Sequence, residues 1–381
     1  LALAGLVPEP RPRVPALVRA GQRLAGAPGQ GSRFLFGMAT GLLPCGLVYS
    51  ALSVPVALSG AASGVRAQEQ AKLDIREWPV PWEKTRPRGP YVDREGRVWF
   101  VGQTGDYVAY LDPATGEFKR FELEKGAGPH NLIVDAKGVV WYAGNRASHI
   151  GRLDPRTGEI TKYPMPDPAV RDPHTLVFDR TGDIWFTAQG ANVVGRLETA
   201  TGKVQIIKVP TPSARPYGIV VNSKNEPWIV LFGTNKLAAI DPKTVELREV
   251  ALPRAEARPR RLVVDSKDRV WYVDYARGYL GVYDPASGKV EEWPTPSGER
   301  SRPYGMAIDD QDRIWFVETG VEPNRFVGFD PRTKTFFASG EIPSGGGAVR
   351  HMYFHAKTGE IWFGTDTNQI GRVRVPGRAT S

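Results

Sequence analysis

The amino-acid sequence predicts an all-β fold, a seven-bladed β-propeller in which each blade is a four-stranded antiparallel sheet. A short strand with an aromatic pair recurs seven times, at a spacing of 42 to 47 residues. A period of about 40 to 50 residues, with short strands and turns in each unit, is typical of propellers. The copies centre on Trp99, Trp141, Trp185, Trp228, Trp271, Trp315 and Trp362.

One complete unit reads as four strands separated by turns. In the second unit the strands are HNLIVD (130–135), VVWYAG (139–144), HIGRLD (149–154) and EITKYPMP (159–166). A turn with glycine follows the first strand, and the Pro-then-Gly turn DPRTG follows the third. The second strand is apolar on both faces, so it must be buried between neighbouring sheets. We therefore expect the repeated tryptophans to be structural.

The two ends of the repeat region predict how the ring closes. The last unit ends with QIGRVRVP (369–376), before any fourth strand. Near the N-terminus, DIREWPVP (74–81) is similar to the outer strand KVEEWPTP (289–296). We expect this first strand to complete the last blade, because closure removes the exposed sheet edges. The predicted regions are a basic and hydrophobic segment (1–72), the propeller (73–376) and a C-terminal tail (377–381).

The N-terminal segment predicts export or membrane attachment. Several arginines precede residues 34–65, which contain no charged side chain. Such a run is long enough to cross a bilayer, with the basic residues on the cytoplasmic side. Small residues at Val65 and Ala67 form a signal-peptidase type of site before Gln68. We expect a periplasmic or extracellular propeller; the alternative is a fusion remnant that carries a foreign membrane helix.

Residues 37–52, GMATGLLPCGLVYSAL, resemble a transmembrane helix of the sulfite-exporter-like membrane family. The resemblance covers one helix, so it implies membrane insertion and no transport function. Cys45 is the one cysteine of the chain, which excludes an internal disulfide.

The charge of the chain favours an anionic ligand. The formal net charge is +9, but the repeats lack the Lys/Arg blocks that grip nucleic acid, so we expect no nucleic-acid partner. The sequence also has no Gly-rich phosphate loop, no GxSxG motif and no paired cysteines. We expect a monomer that binds a small molecule or an anion where the loops meet at one mouth of the central channel.

The repeat register locates candidate site residues at that mouth. The residue eleven positions before each tryptophan is always His, Tyr or Arg, and it should face the residue three positions after the tryptophan across a hairpin. The first set is Arg88, His130, His174, Tyr217, Arg260, Tyr304 and His351. The opposing set is mostly small or apolar, and its acids are Asp274 and Glu318. Two residues before the first set, arginine recurs, as at Arg302.

Such a ring suits general acid–base chemistry on an anionic or carbonyl-bearing ligand. The alternative is that these side chains fill a wet funnel and bond backbone carbonyls. His130 and His174 on adjacent blades suggest a metal site, but no acidic cluster accompanies them, and the metal stays unknown. A calcium-dependent lactonase would need more acidic ligands than this rim offers, so it is the least favoured hypothesis.

The units PHNLIVD…VVWYAG…HIGRLDPRTGEITKYPMP, PHTLVFD…DIWFTA and RPYGMAID…RIWFVE resemble the virginiamycin B lyase (streptogramin lyase) family. The resemblance covers almost all of residues 73–376. It implies a propeller that opens a cyclic depsipeptide antibiotic at its ester by elimination. It also implies magnesium, a channel histidine on each of two adjacent blades, and a glutamate after WFT on the second.

In this chain, the residues that match the histidine and glutamate positions of the family lie on different blades. His130 and His174 fit the histidine pair, whereas the glutamate position after WFT is Ala188. Glu318 fits the glutamate position on another blade, which has Tyr304 where histidine is expected. We expect two catalytic clusters on opposite walls of the channel. One consists of Glu318, Tyr304 and His351, and the other of His130 and His174.

The remaining candidates, expected to bind the ligand, are Arg88, Tyr217, Arg260, Asp274 and Arg302. Two functions compete. The first is a lyase-like enzyme acting on a cyclic depsipeptide or a related ester. The alternative is a non-catalytic propeller that binds an anionic ligand or a partner protein.

Overall fold

The computed structural model describes residues 71–377, which form seven four-stranded antiparallel blades in a ring. The inner strand of each blade contacts that of the next blade, and the last contacts the first. The predicted fold class is therefore confirmed. The predicted hydrophobic segment (34–65) and the tail after residue 377 lie outside the described residues. Within residues 71–377 no helix is long and apolar enough to cross a membrane.

The four strands of a blade follow one another from the channel outward. The inner strands are β3 (Pro87–Val92), β7 (Pro129–Val134), β11 (Pro173–Phe178), β15 (Pro216–Val221), β19 (Pro259–Val264), β23 (Pro303–Ile308) and β27 (Val349–His355). The second strands are β4 (Val98–Gly102), β8 (Val140–Gly144), β12 (Ile184–Ala188), β16 (Pro227–Leu231), β20 (Val270–Asp274), β24 (Ile314–Glu318) and β28 (Glu360–Thr365).

The two outer positions of each blade complete the sheets. The third strands are β5 (Tyr107–Leu111), β9 (His149–Leu153), β13 (Val193–Leu197), β17 (Lys236–Ile240), β21 (Tyr279–Asp284), β25 (Arg325–Asp330) and β29 (Gln369–Arg374). The outer strands of blades one to six are β6 (Phe118–Glu122), β10 (Ile160–Pro164), β14 (Val204–Lys208), β18 (Leu247–Ala251), β22 (Lys289–Pro294) and β26 (Thr335–Glu341). In the described part of the chain, the single helical segment is a 3-10 turn at Gly298–Ser301.

The N-terminal strand closes the ring as predicted. Strand β2 (Asp74–Pro79) pairs antiparallel with β29 and is the outer strand of blade seven. Trp78 on β2 stacks on Trp362 at 5.4 Å, and both belong to the apolar cluster between blades seven and one. The short strand β1 (Ala71–Lys72) pairs in parallel with β26 of blade six. The first described residues therefore contact two neighbouring blades.

The repeated tryptophan is anchored by an aspartate six residues upstream. Within residues 71–377, five of the seven indoles donate a hydrogen bond to this carboxylate, at 2.6 to 3.3 Å. The pairs are Asp93–Trp99, Asp135–Trp141, Asp179–Trp185, Asp265–Trp271 and Asp309–Trp315. The same carboxylates accept backbone N–H groups of the turn between the inner and second strands. The aspartate side chain thus fixes both the turn and the indole ring of the tryptophan. The repeat pattern alone did not predict this role.

Two blades depart from this arrangement. In blade four, Asn222 accepts the turn N–H groups, while the buried Nε1 of Trp228 finds no partner in the described chain. In blade seven, His355 occupies the aspartate position, and Nε1 of Trp362 likewise has no partner among residues 71–377.

The residue after the tryptophan packs across the blade onto the third strand. Tyr142 lies opposite Gly151, and Phe186 lies opposite Gly195. A Cβ atom on Gly151 would come within 2.1 Å of the Tyr142 ring, so this close approach requires glycine. The apolar clusters lie between blades: Trp99 of blade one, for example, packs with Tyr142 of blade two. The core is therefore a series of inter-blade layers around the channel.

The aspartate–indole bond predicts a specific loss of stability in Asp93→Ala. The change removes the acceptor of the buried Trp99 Nε1 and of the Arg97 backbone N–H. We expect the free energy of unfolding to fall by about 2–4 kcal/mol, measured by urea denaturation. The matched control is Glu95→Ala, which removes an exposed ion pair to the same Arg97 and should cost less than about 1 kcal/mol. Equal losses in the two variants would contradict a role for the indole bond.

Candidate functional site

A bulge near the start of each inner strand directs side chains into the channel. All seven pairs of inner and second strands in the described residues have a register shift at this place. Bulges re-aim side chains and often lie beside functional sites. Two successive residues per blade face the channel here. The first form the rim ring, which is Arg88, His130, His174, Tyr217, Arg260, Tyr304 and Arg350. The second form the deeper neck ring, which is Gly89, Asn131, Thr175, Gly218, Arg261, Gly305 and His351.

The seventh rim position differs from the prediction. Val349 pairs with Thr365 as Pro129 pairs with Gly144, so Arg350 corresponds to His130. The turn after β27 is one residue longer than in the other blades. Tyr353, nine residues before Trp362, lies opposite this tryptophan, whereas in the other blades the opposite residue is eight positions before the tryptophan, as Ile133 is for Trp141. Counting eleven residues back from Trp362 therefore gives His351, which is one residue past the rim position at Arg350. His351 still faces the channel, but in the neck ring.

The rim side chains form one continuous row. The rings of His130 and His174 lie 3.6 Å apart, and His174 lies 4.1 Å from Tyr217. The hydroxyl groups of Tyr217 and Tyr304 are hydrogen-bonded to each other. The Arg260 guanidinium lies over the Tyr304 ring at 3.8 Å. The histidine pair and Tyr304, which were expected on opposite walls, are thus connected through Tyr217, which contacts both His174 and Tyr304.

The channel histidines are buried neutral imidazoles. His130 Nδ1 bonds the backbone carbonyl of His174 at 3.2 Å, and His174 Nδ1 bonds the Thr175 hydroxyl at 2.9 Å. Burial, reinforced by neighbouring arginines, lowers the pKa of both rings well below the ordinary value. For His351 burial and nearby Arg261 lower the pKa to about 3. Nε2 of His174 and Nδ1 of His351 have no partner in residues 71–377.

Arginines dominate the charge of the passage. Burial lowers the pKa of Arg88 to about 10, and its guanidinium donates to the neutral Gln103 at 2.8 Å. Arg260 is packed against four aromatic rings, among them Tyr275 at 4.2 Å. Arg350 instead makes a two-pronged ion pair with Asp366.

Arg261 crosses the neck of the channel. From β19 it donates to the carbonyl of Arg350 at 2.9 Å and to the Thr175 hydroxyl at 3.0 Å, so it joins blades five, seven and three. Three members of the neck ring are glycines, which carry no side chain into the passage beside it. Arg261 was not among the site residues predicted from the sequence. The signal was available, since only the fifth unit has a charged residue at this position, in RPRR.

The two predicted acids, Glu318 and Asp274, accept hydrogen bonds from loop residues. Glu318 is fully buried and accepts hydrogen bonds from the backbone N–H and hydroxyl of Ser297, at 2.8 and 2.6 Å. Its nearest cation is Arg325, at 3.9 Å. Asp274 accepts backbone N–H groups of Arg258 and Ala276. The structure therefore does not join the Glu318 carboxylate to Tyr304 and His351 by hydrogen bonds; it uses this carboxylate to hold the loop before blade six.

A cavity of about 690 Å³ opens at the mouth above blades five to seven. We call it the mouth cavity. Its walls include the rim residues Arg260, Tyr304 and Arg350, together with Tyr275 and the exposed Arg302. Two more charged residues complete the wall, Arg300 and Glu299. Four guanidinium groups and one carboxylate thus line a concave site, and the guanidinium of Arg350 is also paired with Asp366. The remaining excess of positive charge suits a negatively charged ligand.

The residues of this site do not fit the magnesium that the family resemblance implies. Magnesium prefers carboxylate and other oxygen ligands in octahedral geometry. Within residues 71–377 no three His, Cys, Asp or Glu side chains lie close enough to hold a metal ion. Both oxygens of Glu318 accept hydrogen bonds from Ser297, and Oδ1 of Asp274 accepts loop N–H groups, so the buried Oδ2 of Asp274 is the one oxygen of these two carboxylates without a partner in residues 71–377.

The buried histidines predict acid-sensitive folding. Their pKa values are lowered by folding, so the unfolded chain binds more protons and stability falls as the pH drops below about 6.5. We expect His130, His174 and His351 each to contribute a loss of about 1 kcal/mol between pH 7 and pH 5.5. Urea midpoints at these pH values measure the effect, and His351→Gln should reduce the loss by about 1 kcal/mol. An unchanged midpoint in the wild-type protein would contradict neutral burial of these rings.

Comparison with known proteins agrees with the fold. Residues 61–325 match the model of the virginiamycin B lyase family. Residues 12–67 match a model described as a cytochrome C biogenesis protein transmembrane region, which fits the predicted membrane segment. No curated protein sequence matches the chain significantly.

Solved structures include similar propellers. A streptogramin B lyase is 26% identical, with a TM-score of 0.72 over 79% of this chain and 97% of that one. Virginiamycin B lyase from Staphylococcus aureus is 23% identical, with a TM-score of 0.72 over 80% of this chain and 99% of that one. A catalytically inactive histidine-to-alanine variant of the Staphylococcus aureus enzyme, solved with quinupristin, is 24% identical at a TM-score of 0.72, over 80% of this chain and 99% of that one. Because the family model spans more than half of the sequence, this chain belongs to the virginiamycin B lyase family.

Proposed function

We propose that the protein binds an organic anion, with a carboxylate and an apolar or planar part, in the mouth cavity. The single observation that supports this best is the wall of this cavity, where Arg260, Arg300, Arg302 and Arg350 accompany one acid, Glu299. Guanidinium groups form strong charge-assisted hydrogen bonds to carboxylates. Tyr275 and Tyr304 supply aromatic surface beside these donors.

The dimensions favour a small molecule over a protein partner. A cavity of about 690 Å³ lies within the usual range of small-ligand sites, about 300–1,000 Å³. Arg350 is held in place by Asp366, so one guanidinium is already oriented before a ligand arrives. Arg302 is exposed and has no fixed ion-pair partner within residues 71–377, so its charge is available.

Ligand binding can be tested by calorimetry with citrate and with benzoate as probes. We expect measurable binding of both, and a loss of about tenfold or more in Arg302→Gln, because one charge-assisted hydrogen bond is worth about 1.5–3 kcal/mol. Arg248→Gln is the matched control, since Arg248 lies on outer strand β18 and should leave affinity unchanged. No binding of either anion, or equal weakening by both substitutions, would count against the mouth cavity.

A second candidate function, elimination of an ester, is favoured by one further observation. The imidazole of His174 is neutral and fully buried beside the passage, and its Nε2 atom is free to accept a proton in the described structure. In elimination a base takes a proton next to a carbonyl, and a carboxylate leaves from the neighbouring carbon. The rim arginines would hold that carboxylate. No step is assigned to magnesium, since the donor set does not fit it.

The lyase hypothesis predicts ring opening of a cyclic depsipeptide such as quinupristin, followed by mass spectrometry. We expect the dehydro product from the wild-type protein, and turnover at least about 100-fold slower in His174→Ala, because a general base contributes about that much. His355→Gln is the control, since His355 lies at the other opening of the channel. No turnover, or full turnover in His174→Ala, would leave anion binding as the sole proposal.

We also propose an extracytoplasmic location with attachment through the N-terminal region. This is supported by the match of residues 12–67 to a membrane-region family. Protease accessibility of the propeller in intact cells would measure it, and full protection would count against it.

A further inference from the structure

Three arginines of the passage have no acidic partner. Arg88 and Arg261 are only 6% and 5% exposed, and Arg260 is enclosed by aromatic rings. Among residues 71–377, none of the three makes an ion pair with a carboxylate. An unpaired buried charge is costly, so folded proteins place a counter-charge beside it. The counter-charge in this passage must come from another kind of group or from a ligand.

Tyr217 and Tyr304 are the nearest groups that can become negative. Their hydroxyls share a hydrogen bond, and both side chains are almost fully buried. The Arg261 guanidinium lies 5.3 Å from the Tyr217 ring, and that of Arg260 lies 5.2 Å from it. The titratable and charged groups that face Tyr217 from the surrounding strands are Arg88, His174, Arg260, Arg261, Tyr304 and Arg350.

The two phenols have opposite tendencies to ionise. Burial would raise the pKa of Tyr217, but the charges of Arg260 and Arg261 and the bond from Tyr304 outweigh it and lower the pKa to about 8. Burial and the neighbouring Tyr217 raise the pKa of Tyr304 to about 12. One phenol is thus set to lose its proton and the other to donate to the resulting oxygen. Tyr304 also lines the mouth cavity, whereas Tyr217 lies behind it.

We infer that Tyr217, once ionised, is the counter-anion of the buried arginines and, besides His174, a proton acceptor of the channel, connected to the mouth cavity by Tyr304. A ligand C–H group at the mouth gives its proton to the Tyr304 oxygen while Tyr304 passes its own proton to the Tyr217 phenolate. The C–H electron pair forms the new C=C bond, and the carboxylate leaves with the electrons of its C–O bond. Nothing is oxidised or reduced. The transfer from a ligand rests on the proposed function, whereas the ionisation of Tyr217 does not.

The ionisation is tested by absorbance at 295 nm, which reports phenolate, during a titration of the full chain from pH 6 to pH 11. We expect a step of about one tyrosine with a midpoint near pH 8, separate from ordinary tyrosines that titrate near pH 10. Tyr217→Phe should abolish the step. Tyr275→Phe, which changes another tyrosine of the mouth, should leave it in place. A wild-type protein without a step below pH 9, or a step that persists in Tyr217→Phe, overturns the inference.

A second variant keeps the test informative if Tyr217→Phe does not fold. Arg260→Gln removes one neighbouring charge and should move the midpoint upward by about one pH unit or more; an unmoved midpoint overturns the assignment. The citrate titration separates the two proposals. A step near pH 8 without citrate binding counts against the mouth site alone, and citrate binding without the step counts against Tyr217 alone.

Discussion

A hydrogen bond between the repeated indole and its upstream aspartate, present in five of the seven described blades, is the constraint that most of the blades share. It fixes the turn between the inner and second strands, and this turn sets the register that brings one rim residue per blade to the same height. Where the aspartate is present, as in Asp309 with Trp315, counting back from the tryptophan finds the rim residue correctly. In blade seven His355 occupies that position, the turn is one residue longer, and Arg350 takes the place predicted for His351.

The sequence was sufficient for the fold because the period, the turn residues and the unmatched strand at each end all indicate the same closed ring. Counting back from the tryptophan finds the rim residue in six of the seven described blades, since equal spacing gives equal height. The predicted partner was wrong by one residue, because Pro129 rather than His130 lies opposite Gly144. What could not be predicted depends on side-chain direction. Glu318 stands at the predicted backbone position, but its carboxylate turns to Ser297, and Arg261 reaches across the neck to Thr175. The spacing of the repeats does not predict either side-chain direction, because each depends on a hydrogen-bond partner outside its own strand pair.

Acids and bases are separated in this molecule. Carboxylates such as Asp93, Asp274 and Glu318 accept backbone N–H groups in turns and loops, where they stabilise the blades. The channel is left to arginine, histidine and tyrosine. A passage built in this way attracts anions, and its arginines without a carboxylate partner also favour the ionised form of a nearby phenol.

The closing strand has a consequence for how the chain assembles. Asp74 pairs with Arg374, so the seam of the ring joins residues from opposite ends of the domain. Contacts between residues so distant in the chain form slowly, because the loop must be ordered before the pairing is rewarded. During synthesis β2 emerges long before β29, so six blades can be complete while the outer strand of blade seven still waits for its partner. The nascent domain therefore keeps an unpaired strand until β29 has left the ribosome, and an unpaired strand is a template for pairing with another chain.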